Sequence, residues 1–236
     1  MNFSSFLLGV LTSIVGAIVI SIFAIFVNGI RDFIGFKLLF RLVIDSSRSG
    51  IINIFPNRLT YRTHKDHGKA NEYIKKCDKE ILYIGFWLAH GTEMESLINT
   101  IKEQCLFGKK VTIILLNPNN TALMKQESDF LNIDQEEMAS RIKRCLQKLI
   151  IIEQHLLTID NHNLKVGVHD IPLNYSSFML DYESREKTRI LVDYKVYQKG
   201  RENSFGIEYK NQKHIVTPIY AESLKLIADN STAYRP

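Results

Sequence analysis

At 236 residues, the chain is long enough for one ordinary domain with a sizeable core and an appendage. Its net charge of +5 is modest and spread along the chain, so charge alone does not discriminate between a lipid surface and nucleic acid as a partner. Its three cysteines, Cys77, Cys105 and Cys145, match no metal spacing and are odd in number. They argue against a zinc site and indicate free thiols in a reducing compartment.

The N-terminal segment has the composition of a membrane helix. The first thirty residues carry no charged side chain, and residues 3–27 are almost entirely apolar. About twenty apolar residues suffice to cross the hydrocarbon core of a bilayer. A cleaved signal peptide would need a basic N-terminal region and a shorter apolar core, and no Lys or Arg precedes this run. The sequence therefore predicts a retained transmembrane helix over residues 1–29.

Basic residues follow this predicted helix, and none precedes it. Arg31, Lys37, Arg41 and Arg48 lie close behind the apolar run. The positive-inside tendency then leaves the N-terminus outside and the rest of the chain in the cytoplasm, as a single-pass protein of the cell inner membrane. The same basic residues would lie against anionic headgroups, so we favour the lipid bilayer over nucleic acid as the partner that explains the net charge.

Residues 30–49 have amphipathic helical spacing that ends in a serine-rich break, which predicts a juxtamembrane helix and a linker. In the domain over residues 50–236, patterns typical of strands and helices alternate. This alternation predicts an α/β domain with a mixed β-sheet and helices on both faces. The predicted strands cover residues 51–55, 80–88, 110–118, 163–170, 176–182 and 188–197, and the predicted helices cover residues 67–78, 93–108, 135–153 and 217–229.

Polar side chains follow two of the predicted strands. After the strand over residues 80–88, His90 precedes Thr92, which could cap the next helix in a capping box with Glu95. The N–H groups of such a helix start suit an anion, but we favour the simpler interpretation of a capped helix with an exposed His90. The asparagine-rich segment over residues 115–121 predicts a turn, because Asn side chains bond their own backbone.

The segment NYSSFMLDYES, residues 174–184, places Asn174, Ser176 and Asp181 in the spacing H-x-K-x-x-x-x-D. Together with its neighbours it resembles the phospholipase D-like superfamily, and more narrowly the degenerate single-lobe domains appended to bacterial regulatory and membrane proteins. The likeness runs from about residue 50 to the C-terminus and rests on the order of elements. The segments that carry it are residues 50–58, 80–87, 107–119, 164–184 and 197–209.

This resemblance implies a mixed sheet flanked by helices and a homodimer, because two lobes commonly meet to build one site. In active members a histidine attacks phosphorus and lysines hold the phosphoryl oxygens. Here the histidine position matches Asn174, the lysine position matches Ser176, and the acidic position is Asp181. An amide offers no useful nucleophile, and losing an activated nucleophile costs several orders of magnitude in rate. The resemblance therefore implies a catalytically degenerate domain without cofactor or metal.

A degenerate site can still bind a ligand, because Asn and Ser side chains donate and accept hydrogen bonds. The basic loop over residues 184–189 is expected to add positive charge near the same strand ends, and a solvated hairpin tip is its alternative. The expected ligand is a nucleotide or another phosphorylated small molecule, or a lipid headgroup. The residues that we expect to bind it are Asn174, Ser176, Asp181, His90, Lys199 and Arg201.

Three functional hypotheses follow. The first is a membrane-anchored, cytoplasmic, catalytically degenerate module that acts as a sensor or effector, with a role in bacterial stress or phage defence suggested by the resemblance. The second is an active membrane-anchored nuclease or phospholipase with non-standard residues, using His90 or His169 across a dimer. It requires a histidine close to Asn174. The third is a structural role, in which the domain only oligomerises.

Overall fold

The computed structural model describes residues 44–56, 70–88, 91–199 and 204–234. The predicted transmembrane helix, most of the juxtamembrane segment and the start of the helix predicted from residue 67 lie outside these ranges. Within them, no helix combines the length and the apolar character needed to cross a membrane. The chain divides into two compact units, residues 1–46 and residues 47–236, and the second unit contains every strand described.

Among the described residues, eight strands form one mixed sheet. Strands β2, β3 and β4 run parallel to one another, and the other neighbouring pairs are antiparallel. The order across the sheet is β1-β7-β6-β5-β2-β3-β4-β8. The strands are β1 Ile51–Phe55, β2 Glu80–Gly85, β3 Lys110–Leu116, β4 Leu164–His169, β5 Tyr175–Leu180, β6 Arg189–Tyr194, β7 Phe205–Lys210 and β8 Thr232–Ala233. The mixed α/β fold class predicted from the sequence is confirmed.

Helices cover both faces of this sheet. They are α1 Ala70–Ile74, α2 Gly91–Leu106, α3 Thr121–Leu131, α4 Gln135–Leu157 and α5 Val216–Asp229. Helix α2 lies in the connection from β2 to β3, and helix α4 lies in the connection from β3 to β4. Since these parallel strands follow one another across the sheet in the same direction, right-handed connections place both helices on the same face. Helix α5 packs on the opposite face, where Tyr220 stacks on Tyr209 with ring centroids 5.0 Å apart.

The core begins in the centre of the sheet. Every residue of β2 is buried, and β3 is buried from Ile113 to Leu116, as expected for a strand covered on both faces. Side-chain caps mark the starts of α3 and α4, whereas α5 starts without one. Asn120 accepts a hydrogen bond from the Leu123 N–H at the start of α3, and Asp134 accepts one from the Glu137 N–H at the start of α4.

The structure contains three elements that the sequence does not predict, α3, β7 and the two-residue strand β8. It also ends β2 at Gly85, so residues 86–88 leave the sheet. We call the end of the sheet where β2, β3 and β4 finish the upper end, and the end where they begin the lower end. Since β5 is antiparallel to β2, β5 starts at the upper end and finishes at the lower end.

Candidate functional site

A cavity of about 100 Å³ lies at the upper end of the sheet, on the face that carries Phe178 and Tyr83. Most of its wall is aromatic or aliphatic and comes from β2, from the residues after β2 and from the connection between α3 and α4. This is the composition of small-molecule sites, in which a few polar groups stand in an apolar wall. The polar side chains in the wall belong to Ser176, Asp193, Lys195 and Ser204.

Strand pairing brings the polar groups together. In the register of β5 with β6, Ser176 lies opposite Asp193, and one step further the Lys195 N–H donates to the Asn174 carbonyl oxygen at 2.7 Å. Residues that face each other across a strand pair point to the same face, as do residues two apart along one strand. Ser176 therefore shares a face with Asp193 and lines the cavity, whereas the Asn174 side chain is exposed and does not line it. Lys195 and Asp193 were not predicted from the sequence.

Lys195 and Asp193 form an ion pair, with the Lys195 ammonium donating to the Asp193 carboxylate. The side chains are only 11% and 31% exposed, respectively. A lysine this far out of water requires an anionic partner, since an unpaired buried charge costs several kcal/mol. The wall of the cavity thus contains Lys195, paired with the Asp193 carboxylate, together with Ser176.

Gly85 allows the close packing that shapes this wall. A Cβ atom at position 85 would lie 2.6 Å from the Ser176 Oγ and 2.7 Å from the Tyr83 Oη. Without that atom, the Tyr83 ring packs on Phe178 with centroids 4.5 Å apart, and its hydroxyl donates to the Trp87 carbonyl oxygen at 2.8 Å. Trp87, which follows β2, is thereby fixed at the cavity.

Asp181 does not lie in the cavity. It follows β5 at the lower end, about 20 Å from the start of that six-residue strand. Its carboxylate accepts hydrogen bonds from the backbone N–H groups of Asp78 at 3.0 Å and Lys79 at 2.7 Å. The residue is buried and has a φ of 50°. The structure therefore separates Asp181 from Asn174 and Ser176, and its carboxylate links the end of β5 to the segment before β2.

The other predicted ligand-binding residues are not brought to the cavity either. His90 and Arg201 lie outside the described residues, and Lys199 is exposed in the turn after β6 and does not line the cavity. The basic loop over residues 184–189 joins β5 to β6 at the lower end, so its charges lie at the other end of the sheet from Asn174. Its hairpin-tip alternative is the observed arrangement.

No histidine lines the cavity among the residues that the structure describes. His169 ends β4, three strand spacings or about 14 Å from β5. Burial lowers the pKa of His169 to about 4, so the ring is neutral at pH 7. The hypothesis of an active enzyme therefore gains no nucleophile from His169 of the same chain. The described ranges also contain no group of His, Cys, Asp and Glu side chains that could hold a metal ion.

Comparisons with known proteins show similarity only at the level of structure. No protein-family model matches the chain, and no curated protein matches it in sequence. Among solved structures, the chain is similar to TrmBL2, an archaeal chromatin protein described with a novel mode of DNA binding, with 10% identity and a TM-score of 0.44. That match covers 77% of this chain and 53% of TrmBL2, so the chain spans about half the length of that protein.

Two further solved structures are similar to the chain. One is Nuc from Salmonella typhimurium, a phospholipase D family member, with 12% identity, a TM-score of 0.41 and coverage of 70% of this chain and 88% of Nuc. The other is a phosphatidylserine synthase from Haemophilus influenzae Rd KW20, with 10% identity, a TM-score of 0.46 and coverage of 70% and 36%. Similarities of this size do not place the chain in a family, and the phospholipase D-like resemblance stays a hypothesis.

Proposed function

We propose that this chain is a membrane-anchored, catalytically degenerate binding module that takes a small phosphorylated ligand in the cavity beside Ser176. The observation that carries the proposal is the position of the Lys195 ammonium group, which lies in the cavity with its side chain only 11% exposed. In the H-x-K-x-x-x-x-D frame, the lysine position is Ser176. Lys195 supplies a cation to the same cavity from the neighbouring strand.

The chemistry of the cavity suits a phosphoryl group attached to an apolar or aromatic body. An ammonium group binds a phosphoryl oxygen through a charge-assisted hydrogen bond, which is about twice as strong as a neutral one. The hydroxyl groups of Ser176 and Ser204 add neutral donors. Trp87, Phe86 and Phe178 offer aromatic surface to the remainder of the ligand.

Three further parts of the proposal rest on the sequence. The charge-free first thirty residues support a membrane anchor, and the basic residues behind them support a cytoplasmic domain. The amide of Asn174 and the hydroxyl of Ser176 in the frame of a phosphodiesterase support a sensor or effector rather than a catalyst. The resemblance to single-lobe phospholipase D-like domains supports a homodimer and a role in bacterial defence.

Ligand binding can be tested through the intrinsic fluorescence of Trp87, which is the single tryptophan of the chain and lines the cavity. The full chain, reconstituted in lipid nanodiscs, is titrated with inorganic phosphate, glycerol 3-phosphate and AMP. We expect a saturable change in Trp87 emission that Lys195→Gln weakens at least tenfold. Lys199→Gln is the matched control, because Lys199 is exposed and lies outside the cavity wall.

Two results would overturn the proposal. The first is equal binding of all phosphorylated probes by the wild-type chain and by Lys195→Gln. The second is hydrolysis of a phosphodiester such as bis(p-nitrophenyl) phosphate that Asn174→Ala abolishes, since that result would make the site catalytic.

A further inference from the structure

The cavity beside Ser176 has one cation and one anion in its wall. Among the described residues that line it, the charged side chains are those of Lys195 and Asp193. They are paired with each other and lie two residues apart at the end of β6. The described part of the wall therefore carries no net charge before a ligand binds.

A phosphoryl group would disturb this balance of charge. A phosphate monoester carries a charge of about −1.5 to −2 at pH 7. Since the charges of Lys195 and Asp193 cancel, the occupied cavity would contain that negative charge in a wall that is mostly aromatic or aliphatic. A charge that is not compensated in such surroundings is costly. A cationic group on the ligand itself would bring the occupied cavity close to neutrality.

The residues around Asp193 leave room for such a group. In the sheet, Asp193 lies opposite Ser176 on one side and opposite Gly206 on the other. Gly85 adjoins Ser176, because a Cβ atom at position 85 would lie 2.6 Å from the Ser176 Oγ. This row across four strands has no bulky side chain beside the carboxylate. Asp193 is also the more accessible member of the ion pair, with 31% of its side chain exposed against 11% for Lys195.

The volume and the walls of the cavity limit what lies beside the carboxylate. The volume is about 100 Å³. Because a cavity of about 150 Å³ holds benzene, this one takes roughly four or five non-hydrogen atoms, which is the size of a short aminoalkyl chain. The aromatic side chains of Phe86, Trp87 and Phe178 form part of the wall, and the faces of such rings attract cations.

We infer that the ligand is a zwitterion, namely an aminoalkyl phosphate, whose phosphoryl group binds Lys195 and whose ammonium group binds Asp193. This inference rests on the proposed function and names the class of ligand for the same cavity. A ligand with only an anionic group competes with Asp193 for Lys195. A zwitterion gives Asp193 a new partner, so that each anion in the occupied cavity lies beside a cation and one ion pair is exchanged for two.

The test compares two probes that differ in one group, 3-aminopropyl phosphate and n-butyl phosphate. Both have a chain of the same length, but only the first carries an ammonium group at pH 7. The full chain is reconstituted in nanodiscs of phosphatidylglycerol, which has no amine, and each titration is followed through Trp87 emission. We expect the wild-type chain to bind 3-aminopropyl phosphate roughly tenfold more tightly than n-butyl phosphate, as for a partly exposed pair of unit charges.

Asp193→Asn should remove this preference, because the ammonium group of the probe loses its partner. Asp170→Asn is the matched control and should keep the preference, since Asp170 is exposed and does not line the cavity. The comparison of the two probes on the wild-type chain needs no variant, so it tests the inference even if Asp193→Asn does not fold. With phosphatidylethanolamine in the nanodiscs, a change in Trp87 emission before any probe is added supports the same chemistry with a lipid headgroup as its source, and no change supports a free ligand.

Two results would overturn this inference and leave the proposed function intact. In the first, Lys195→Gln weakens the binding of both probes, but the wild-type chain binds n-butyl phosphate at least as tightly as 3-aminopropyl phosphate, so the ligand needs no cation. In the second, the preference for 3-aminopropyl phosphate persists in Asp193→Asn, so the ammonium group does not bind Asp193. Equal binding of both probes by the wild-type chain and by Lys195→Gln would refute the proposed function and the inference with it.

Discussion

The ion pair between Lys195 and Asp193 allows a prediction with an unusual sign, namely that removing a charged side chain from the site strengthens ligand binding. A phosphoryl oxygen bound to Lys195 must share that ammonium group with the Asp193 carboxylate, which already accepts from it. Asp193→Asn keeps the shape of the side chain and removes the negative charge. The variant therefore removes both the competition for Lys195 and the repulsion between the carboxylate and the phosphoryl group.

The size of the effect follows from Coulomb's law. A phosphoryl group on Lys195 would lie about 6 Å from the Asp193 carboxylate, where two unit charges repel by about 0.7 kcal/mol in water and by about 3 kcal/mol at an effective dielectric constant of 20. Asp193 is 31% exposed, so the intermediate range applies. We expect Asp193→Asn to gain about 1–2 kcal/mol of binding free energy, which is roughly a tenfold decrease in Kd.

The assay is the titration of Trp87 emission with inorganic phosphate and glycerol 3-phosphate, on the full chain in nanodiscs. Asp170→Asn is the matched control, because Asp170 is exposed at the end of β4 and does not line the cavity. The same variant should lower the free energy of unfolding by about 1–3 kcal/mol, since Lys195 loses its anionic partner in a largely buried position. A Kd for phosphate that is unchanged or higher in Asp193→Asn would refute the assignment of the cavity to an anion.

Three further predictions concern stability and are measured by urea unfolding. Asp181→Ala should lower the free energy of unfolding by about 2–4 kcal/mol, because backbone N–H groups lose a charged acceptor, and Asp181→Asn should cost less, because Asn tolerates a φ of 50°. The pKa of His169 is 6.5 in the unfolded chain and about 4 in the folded chain. As the pH falls from 6.5 to 4, the unfolded chain therefore binds a proton that the folded chain does not bind, and up to about 3 kcal/mol of the free energy of unfolding is lost. His169→Gln should flatten that decline. Burial raises the pKa of Glu127 from 4.5 in the unfolded chain to about 7 in the folded chain. The free energy of unfolding that this difference contributes is complete below pH 4.5 and is lost as the pH rises through 7. Glu127→Gln should therefore raise the free energy of unfolding at pH 8, by up to about 3 kcal/mol, and change it little at pH 4.5.

Much of the fold could be predicted from the sequence because its central elements have strong periodicity. The apolar run that became β3 and the long amphipathic pattern of α4 contain enough repeats to decide their state locally. Helix α3 was missed for a reason that lies in one residue. The sequence places Asn120 in a turn, and its side chain also caps the start of α3. A helix therefore begins directly after the asparagine-rich turn.

Strand β7 could not be predicted in the same way. Its sequence contains Gly206 and Glu208, and both residue types are depleted in strands. Its extended state depends on pairing with β6 and β1, which are contacts between distant parts of the chain. Its buried Glu208 accepts a hydrogen bond from the Asn53 side chain at 2.6 Å, and this partner lies 155 residues away.

The candidate site was predicted in part. The frame at residues 174–181 drew attention to Ser176, which the structure places in a cavity wall. Spacing along one strand does not show which residues lie on the neighbouring strand, so Asp193 and Lys195 were missed. Their signal was present, because two opposite charges two residues apart, just after the apolar run ILV of residues 190–192, lie on one face of an extended strand. The spacing H-x-K-x-x-x-x-D groups Asp181 with Ser176, but the two residues lie at opposite ends of β5 in the structure.

The position of β1 has a consequence for biosynthesis. In the sheet, β1 pairs with β7, with Ile51 opposite Tyr209. A ribosome that adds about 5–20 residues per second needs roughly 8–30 seconds to make the chain between them. During that interval, the apolar strand IINIF has no partner in the chain, and such a segment readily pairs with other extended chains. The edge strand that is made first thus waits for a strand near the end of the chain, and the nascent chain needs protection until β7 has left the ribosome.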